Sequence, residues 1–256
     1  MRFDSPILDH PTLSGRYFYP WPNRFDDPFF VEGDGFRLGC RYNRIDEQAP
    51  TIIHFHGNGE SVADYLGEFE ERIAGLGANL LLAEYRGYGM SSGAPALAAM
   101  LDDVRLIVAA SGAALERIVF FGRSLGSLYA LHGAALYPEA AGVIVESGLA
   151  DPLERIVVRI EPREVGATME QLREAVATHL NQRVKMAAFK GRCLIMHTRN
   201  DDLVLVSHAE RLHGWANGPK ELLIFERGDH NTILAVNEAA YFAAVGNFLR
   251  ALTAAE

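Results

Sequence analysis

The sequence predicts an α/β fold, a mostly parallel sheet with helices on both faces. Three observations carry that prediction. Short, mostly apolar runs recur at 51–56, 79–85, 117–121, 142–146 and 193–197. Segments between them place apolar residues every third or fourth position, which is helical spacing. The runs themselves are apolar on both faces, as strands are when crossover helices cover both sides of a sheet.

In chain order, residues 1–34 are rich in Pro, Asp and aromatics and hold no clean period; 16–19 and 29–31 read as short edge strands. Residues 36–42 alternate roughly and suit a strand, and 51–56 is the first buried strand. Ser61-Val62-Ala63-Asp64 has the form of a capping box. Val62, Tyr65, Leu66, Phe69, Ile73 and Leu76 then share one helix face. A strand at 79–85 is followed by a helix at 96–110 with Leu97, Met100, Leu101, Val104 and Ile107 inward. Strand 117–121, helix 124–136 and strand 142–146 come next. The alternation breaks over 148–191, which carries no strand pattern but two helical ones, at 152–159 and 169–178. Strand 193–197, helix 207–215, strand 221–226 and a helix over 232–252 close the chain. The expectation is one domain over 1–256, with 148–191 inserted as a short helical lid.

The run Ile118-Val119-Phe120-Phe121-Gly122-Arg123-Ser124-Leu125-Gly126 carries the chemistry. A strand ends at Gly122, Gly-x-Ser-x-Gly follows without a loop, and helical spacing starts at Ser127. That is the context of a nucleophile elbow, a strained turn that lifts Ser124 above the sheet. The same pattern occurs at Gly89-Met90-Ser91-Ser92-Gly93, but no strand leads into it and Pro95 follows where a helix should begin. Ser91 therefore reads as a loop serine.

A serine hydroxyl needs a base and an acid to become a nucleophile. In open α/β sheets chemistry sits beyond the carboxyl ends of the strands. Two of those ends read Thr198-Arg199-Asn200-Asp201-Asp202 and Arg227-Gly228-Asp229-His230-Asn231. His230 suits the general base and Asp201 the acid that orients it, with Asp202 the nearest rival and Glu146 a weaker one. An oxyanion needs preorganised donors. The backbone N–H of Leu125 and that of Asn58, in the loop His56-Gly57-Asn58-Gly59-Glu60, are the natural pair.

These pieces together resemble the α/β-hydrolase superfamily, and within it the small-lid abhydrolase-domain or protein-depalmitoylase-like serine esterases. The stretches that carry the likeness are 56–60, 84–93, 121–126, 145–148, 195–204 and 228–231. The resemblance covers about residues 35–250. It implies an acyl-serine mechanism without a cofactor, with nucleophile Ser124, acid Asp201, base His230 and oxyanion donors Asn58 and Leu125. One departure is His197-Thr198, where such proteins usually carry His-Gly. The expected reaction is hydrolysis of a small carboxylic ester, with thioester second. Amide cleavage, transfer of the acyl group to an alcohol, and a non-catalytic binding protein of the same fold are the alternatives.

Other residues carry blander expectations. His54 and His56 alternate on one strand without acidic or thiol partners at ligand spacing, so no metal is expected; His56 braces the oxyanion loop instead. His132 reads as a packed core histidine and His197 as a structural hydrogen-bonding one. Arg123 is expected to brace neighbouring loops by ion pairing. Tyr85, Arg86 and Tyr88 are expected to pack the loop beside the pocket. Residues 148–192 hold eight Arg or Lys against six Asp or Glu. They read as solvated faces of the lid, with steering of an anionic substrate as the minority reading.

A net charge of −9 disfavours nucleic acid and anionic membranes as partners. No apolar run has transmembrane length, and the opening Met1-Arg2-Phe3-Asp4-Ser5-Pro6 has no apolar core of a signal peptide. A cytoplasmic location follows as an expectation, with Cys40 and Cys193 as reduced core thiols.

Overall fold

The computed structural model describes residues 3–253. Met1 and Arg2 of the opening segment, and residues 254–256, lie outside the described residues. Eight strands form one sheet: β1 (Phe29–Glu32), β2 (Arg37–Asn43), β3 (Thr51–Phe55), β4 (Asn79–Ala83), β5 (Ile118–Arg123), β6 (Gly142–Glu146), β7 (Arg192–Thr198) and β8 (Lys220–Phe225). Their spatial order is β1-β2-β4-β3-β5-β6-β7-β8. β1 with β2 and β2 with β4 pair antiparallel; every other pairing is parallel.

Strands β3 to β7 are buried because their side chains fill two separate cores, while the edge strand β8 stays partly exposed. Ile53, Phe55, Phe120 and Val145 point to one face, where they meet α3 (Asp103–Ser111), α4 (Ser127–Leu136) and α8 (Ser207–Trp215). Ile52, Val119, Phe121 and Ile144 point to the other, against α2 (Glu68–Gly75) and α9 (Ile233–Thr253). Each such side chain contributes about 1.5–3 kcal/mol by leaving water. Cys40 and Cys193 are free, buried thiols, and burial pushes both up to about 12. No helix among the described residues is long and apolar enough to cross a membrane.

Several boundaries differ from the sequence reading. Residues 16–19 are not a strand: they end α1 (Pro11–Tyr17) and run on as extended chain. The expected helix from Ser61 is a 3-10 turn at Val62–Tyr65, a break at Gly67 (φ 76°), and then α2. The helix expected from residue 96 becomes α-helical only at Asp103. The segment between β6 and β7 holds three α-helices, α5 (Pro152–Ile156), α6 (Met169–His179) and α7 (Gln182–Ala188), and a 3-10 turn at Pro162–Val165. α7 has no counterpart in the sequence reading.

Candidate active site

The β5–α4 junction is built from two glycines that admit no side chain. A Cβ on Gly122 would lie 2.6 Å from the Gly126 carbonyl oxygen, and one on Gly126 would lie 1.9 Å from that of Phe55. Ser124 between them adopts φ +49°, a left-handed conformation that costs a non-glycine residue of order 1–3 kcal/mol. The turn is held by Ser127, whose hydroxyl donates to the Ser124 carbonyl at 2.6 Å and accepts the Leu149 N–H at 2.9 Å.

The strained turn aims Ser124 at the ends of β7 and β8. Ser124 Oγ lies 2.9 Å from His230 Nε2, and His230 Nδ1 lies 2.7 Å from Asp201 Oδ2. Asp201 is fixed by its own loop: its Oδ1 accepts the N–H groups of Leu203 (3.0 Å) and Val204 (2.7 Å). His197 Nε2 donates to the Val204 carbonyl at 2.7 Å and sits 3.3 Å from Asp201 Oδ2. Burial works to raise the Asp201 carboxyl, but hydrogen bonds from His197, His230 and the Val204 N–H outweigh it and hold it below the usual carboxylate range. Asp201 is therefore the residue that meets the imidazole, while Asp202 faces solvent.

The loop after β3 is clamped from two sides. Glu60 Oε2 accepts the Gly57 N–H at 2.7 Å and the Tyr65 hydroxyl at 2.6 Å. The Asn58 side chain donates to the Tyr17 carbonyl at 2.5 Å and accepts from the Tyr88 hydroxyl at 2.8 Å. Below, His56 Nε2 meets Glu84 Oε1 at 2.6 Å and Nδ1 meets the Gly57 carbonyl at 2.7 Å. A carbonyl only accepts, so Nδ1 carries a proton. Burial disfavours charge on this ring, but the Glu84 carboxylate outweighs burial and the pKa is raised. The bracing role expected of His56 thus takes the form of a buried pair with Glu84.

Arg123, the variable residue of the elbow, is a hub. Its Nη1 pairs with Glu60 Oε1 at 2.8 Å, its Nε with Glu146 Oε1 at 3.1 Å, and its Nη2 donates to the His230 carbonyl at 2.9 Å. Tyr241 donates its hydroxyl to Glu146 Oε2 at 2.5 Å. Glu146 is thereby committed to Arg123 and Tyr241. The ion pairing expected of Arg123 is present, and its grip on His230 is an addition no sequence pattern announces.

A cavity of about 260 Å³ opens over Ser124 and is also lined by Asn58, Leu125 and His230. All five predicted site residues are thus at one place, Asp201 reaching it through His230. The lining also includes Tyr17 and Tyr19 from the N-terminal segment and Arg155 and Arg159 from the 148–191 segment. None of these four entered the predicted site; the only sequence signal was the basic balance of 148–192. The second Gly-x-Ser-x-Gly is elsewhere: Ser91 and Ser92 accept the backbone N–H groups of Gly39 and Arg37, both at 2.9 Å, and stitch the loop to β2. His54 packs between Tyr65, Phe69 and Phe121, and His132 is buried edge-on to Phe3.

The profile of the serine aminopeptidase, S33, hydrolases matches residues 46–181, more than half of the chain. The chain belongs to this family. Among its relatives, a Mycobacterium tuberculosis protein described as uncharacterised is 28% identical over 225 residues, spanning 84% of this chain and 76% of that protein. Human alpha/beta hydrolase domain-containing protein 17B is 26% identical over 209 residues, covering 78% of this chain and 67% of its own length. Among solved structures, Est1E from Butyrivibrio proteoclasticus with bound ferulic acid superposes with a TM-score of 0.72 at 17% identity, over 88% of this chain and 99% of that one. The fold matches that of α/β-hydrolase neighbours among solved structures, and the protein is an α/β hydrolase.

Proposed function

We propose that this hydrolase cleaves carboxylic esters, and thioesters second, through an acyl-enzyme on Ser124. The observation that carries the reading is the unbroken chain from Ser124 Oγ through His230 to Asp201, at 2.9 and 2.7 Å. His230 Nε2 takes the hydroxyl proton as Oγ attacks the acyl carbonyl, and Asp201 stabilises the imidazolium. The carbonyl oxygen becomes an oxyanion facing the Asn58 and Leu125 N–H groups, each such donor being worth about 3 kcal/mol. The C–O bond then breaks, and His230 returns the proton to the departing alkoxide. Water repeats the sequence on the acyl-serine and releases the acid. In this reading 148–191 acts as the lid over the site within one domain.

The family description favours a second reading, removal of an N-terminal amino acid. An aminopeptidase must hold a substrate ammonium, for which a carboxylate in the pocket is the natural partner. Among the described residues the cavity lining carries three arginines and no Asp or Glu, which favours the ester. A fluorophosphonate should add one phosphonyl group per chain, at Ser124. Ser124→Ala should remove both labelling and p-nitrophenyl ester turnover while the protein stays folded. Unlabelled, folded wild-type protein overturns the proposal.

A further inference from the structure

Two cations at the mouth of the Ser124 cavity have no carboxylate partner among the described residues. Arg155 donates Nη1 to the Leu203 carbonyl at 2.9 Å. Arg159 donates to the Tyr19 hydroxyl, and its guanidinium stands 5.2 Å from the Tyr19 ring centre. The acids nearby are committed elsewhere. Glu154 is taken by His208 and Arg211, Glu161 by Arg163, and Glu164 by Arg16. Arg123, the third arginine of the lining, is neutralised by Glu60 and Glu146. Arg155 and Arg159 therefore present their full charge to a cavity without acids, in a chain of formal net charge −9.

This arrangement costs free energy unless something uses it. Both side chains are half-buried, and a charge drawn out of water without a counter-charge is destabilising. Each guanidinium offers five donors in a rigid fork suited to planar oxyanions, and each donor bond described spends one of them. Leu125, Leu149 and Val204 give the same cavity an apolar part, so one small molecule can meet both kinds of surface.

We infer that the hydrolase selects esters bearing an anionic group, a carboxylate or a phosphate, which Arg155 and Arg159 bind while the acyl carbonyl sits at Ser124. This rests on the ester-hydrolase reading and adds the class of substrate to it. The anion has two sources, the acyl half or the alcohol half of the ester, and each has its own arm in the test.

The test measures kcat/KM on matched pairs. In the acyl arm, p-nitrophenyl butyrate is compared with the p-nitrophenyl monoester of succinic acid. In the alcohol arm, butyrylglycerol is compared with butyrylglycerol phosphate. The wild type should favour the anionic member in at least one arm, through KM. Arg155→Gln and Arg159→Gln should each lower that ratio roughly tenfold, the worth of one charge-assisted hydrogen bond. Arg155→Lys and Arg159→Lys should keep most of it, which loss of structure alone would not do. Fluorophosphonate labelling of each variant reports whether Ser124 remains competent. Ester turnover with ratios at or below one in both arms overturns this inference and leaves the ester-hydrolase reading standing. So does a preference that the Gln variants leave unchanged. No labelling and no turnover of any ester overturns both.

Discussion

The Arg123 guanidinium donates to the backbone carbonyl of His230 at 2.9 Å, so the residue beside Ser124 also holds His230 in place. The same side chain neutralises Glu60 on the loop after β3 and Glu146 at the end of β6. Removing it strips two carboxylates of their counter-charge and frees one turn of the β8–α9 loop.

Arg123→Met should therefore cost about 3–5 kcal/mol of stability, the usual penalty for breaking a buried ion pair from one side. Arg123→Lys should recover only part of it, because one ammonium cannot reach Glu60, Glu146 and His230 in three directions. Urea titration of both variants reads this, and a loss below 1 kcal/mol in Arg123→Met contradicts the hub.

Asp201→Asn should lower kcat by about 10⁴, as when the orienting acid of a serine triad is neutralised and the imidazole tautomer is lost. The Leu203 and Val204 N–H groups still find an oxygen on Asn, so folding should persist. Asp202→Asn, in solvent, should stay within threefold of wild type. A larger loss at 202 than at 201 would reverse the assignment.

Much of this was legible in advance because parallel strands announce themselves. Runs such as Ile118–Phe121 are apolar on both faces for a physical reason, and the elbow glycines are forced by the backbone contacts at Gly122 and Gly126. Strand ends then located Asp201 and His230. What stayed hidden depends on contacts between distant segments. Nothing local announces that Arg159 meets Tyr19, or that Glu146 is shared by Arg123 and Tyr241. Helix starts fall later than the apolar spacing predicts where a 3-10 turn precedes the α-helix, as before Asp103, since a single such turn keeps nearly the same spacing. The helix at Gln182–Ala188 is short, and only Gln182 and Met186 are buried, too few to show a period.

Gly126→Ala should be poorly tolerated, because the clash is with the Phe55 backbone inside the sheet rather than with a movable side chain. A loss above about 3 kcal/mol is expected, beyond the usual range for overpacking. Gly214→Ala, in α8 with open space around the new methyl, should instead stabilise by about 0.5–1 kcal/mol. Thermal melts of the two variants should move in opposite directions.

Acid should destabilise the fold through His132. Burial draws this histidine down to about 3, against an unfolded value near 6.5. Between those values the unfolded chain binds a proton that the folded one does not, so stability falls as pH drops from about 6.5 towards 3. At pH 5 the loss is on the order of 2 kcal/mol. His132→Phe should flatten that part of the stability–pH curve; an unchanged slope between pH 6.5 and 4 would show that another group causes it.

The stitched loop at Ser91 and Ser92 bears on how such chains are compared. The Gly-x-Ser-x-Gly pattern occurs twice here, and one copy is spent as hydrogen-bond glue for a neighbouring strand. Alignments anchored on the signature alone can lock onto the wrong copy and shift every downstream assignment. Requiring a strand immediately before and a helix immediately after removes that error at no cost.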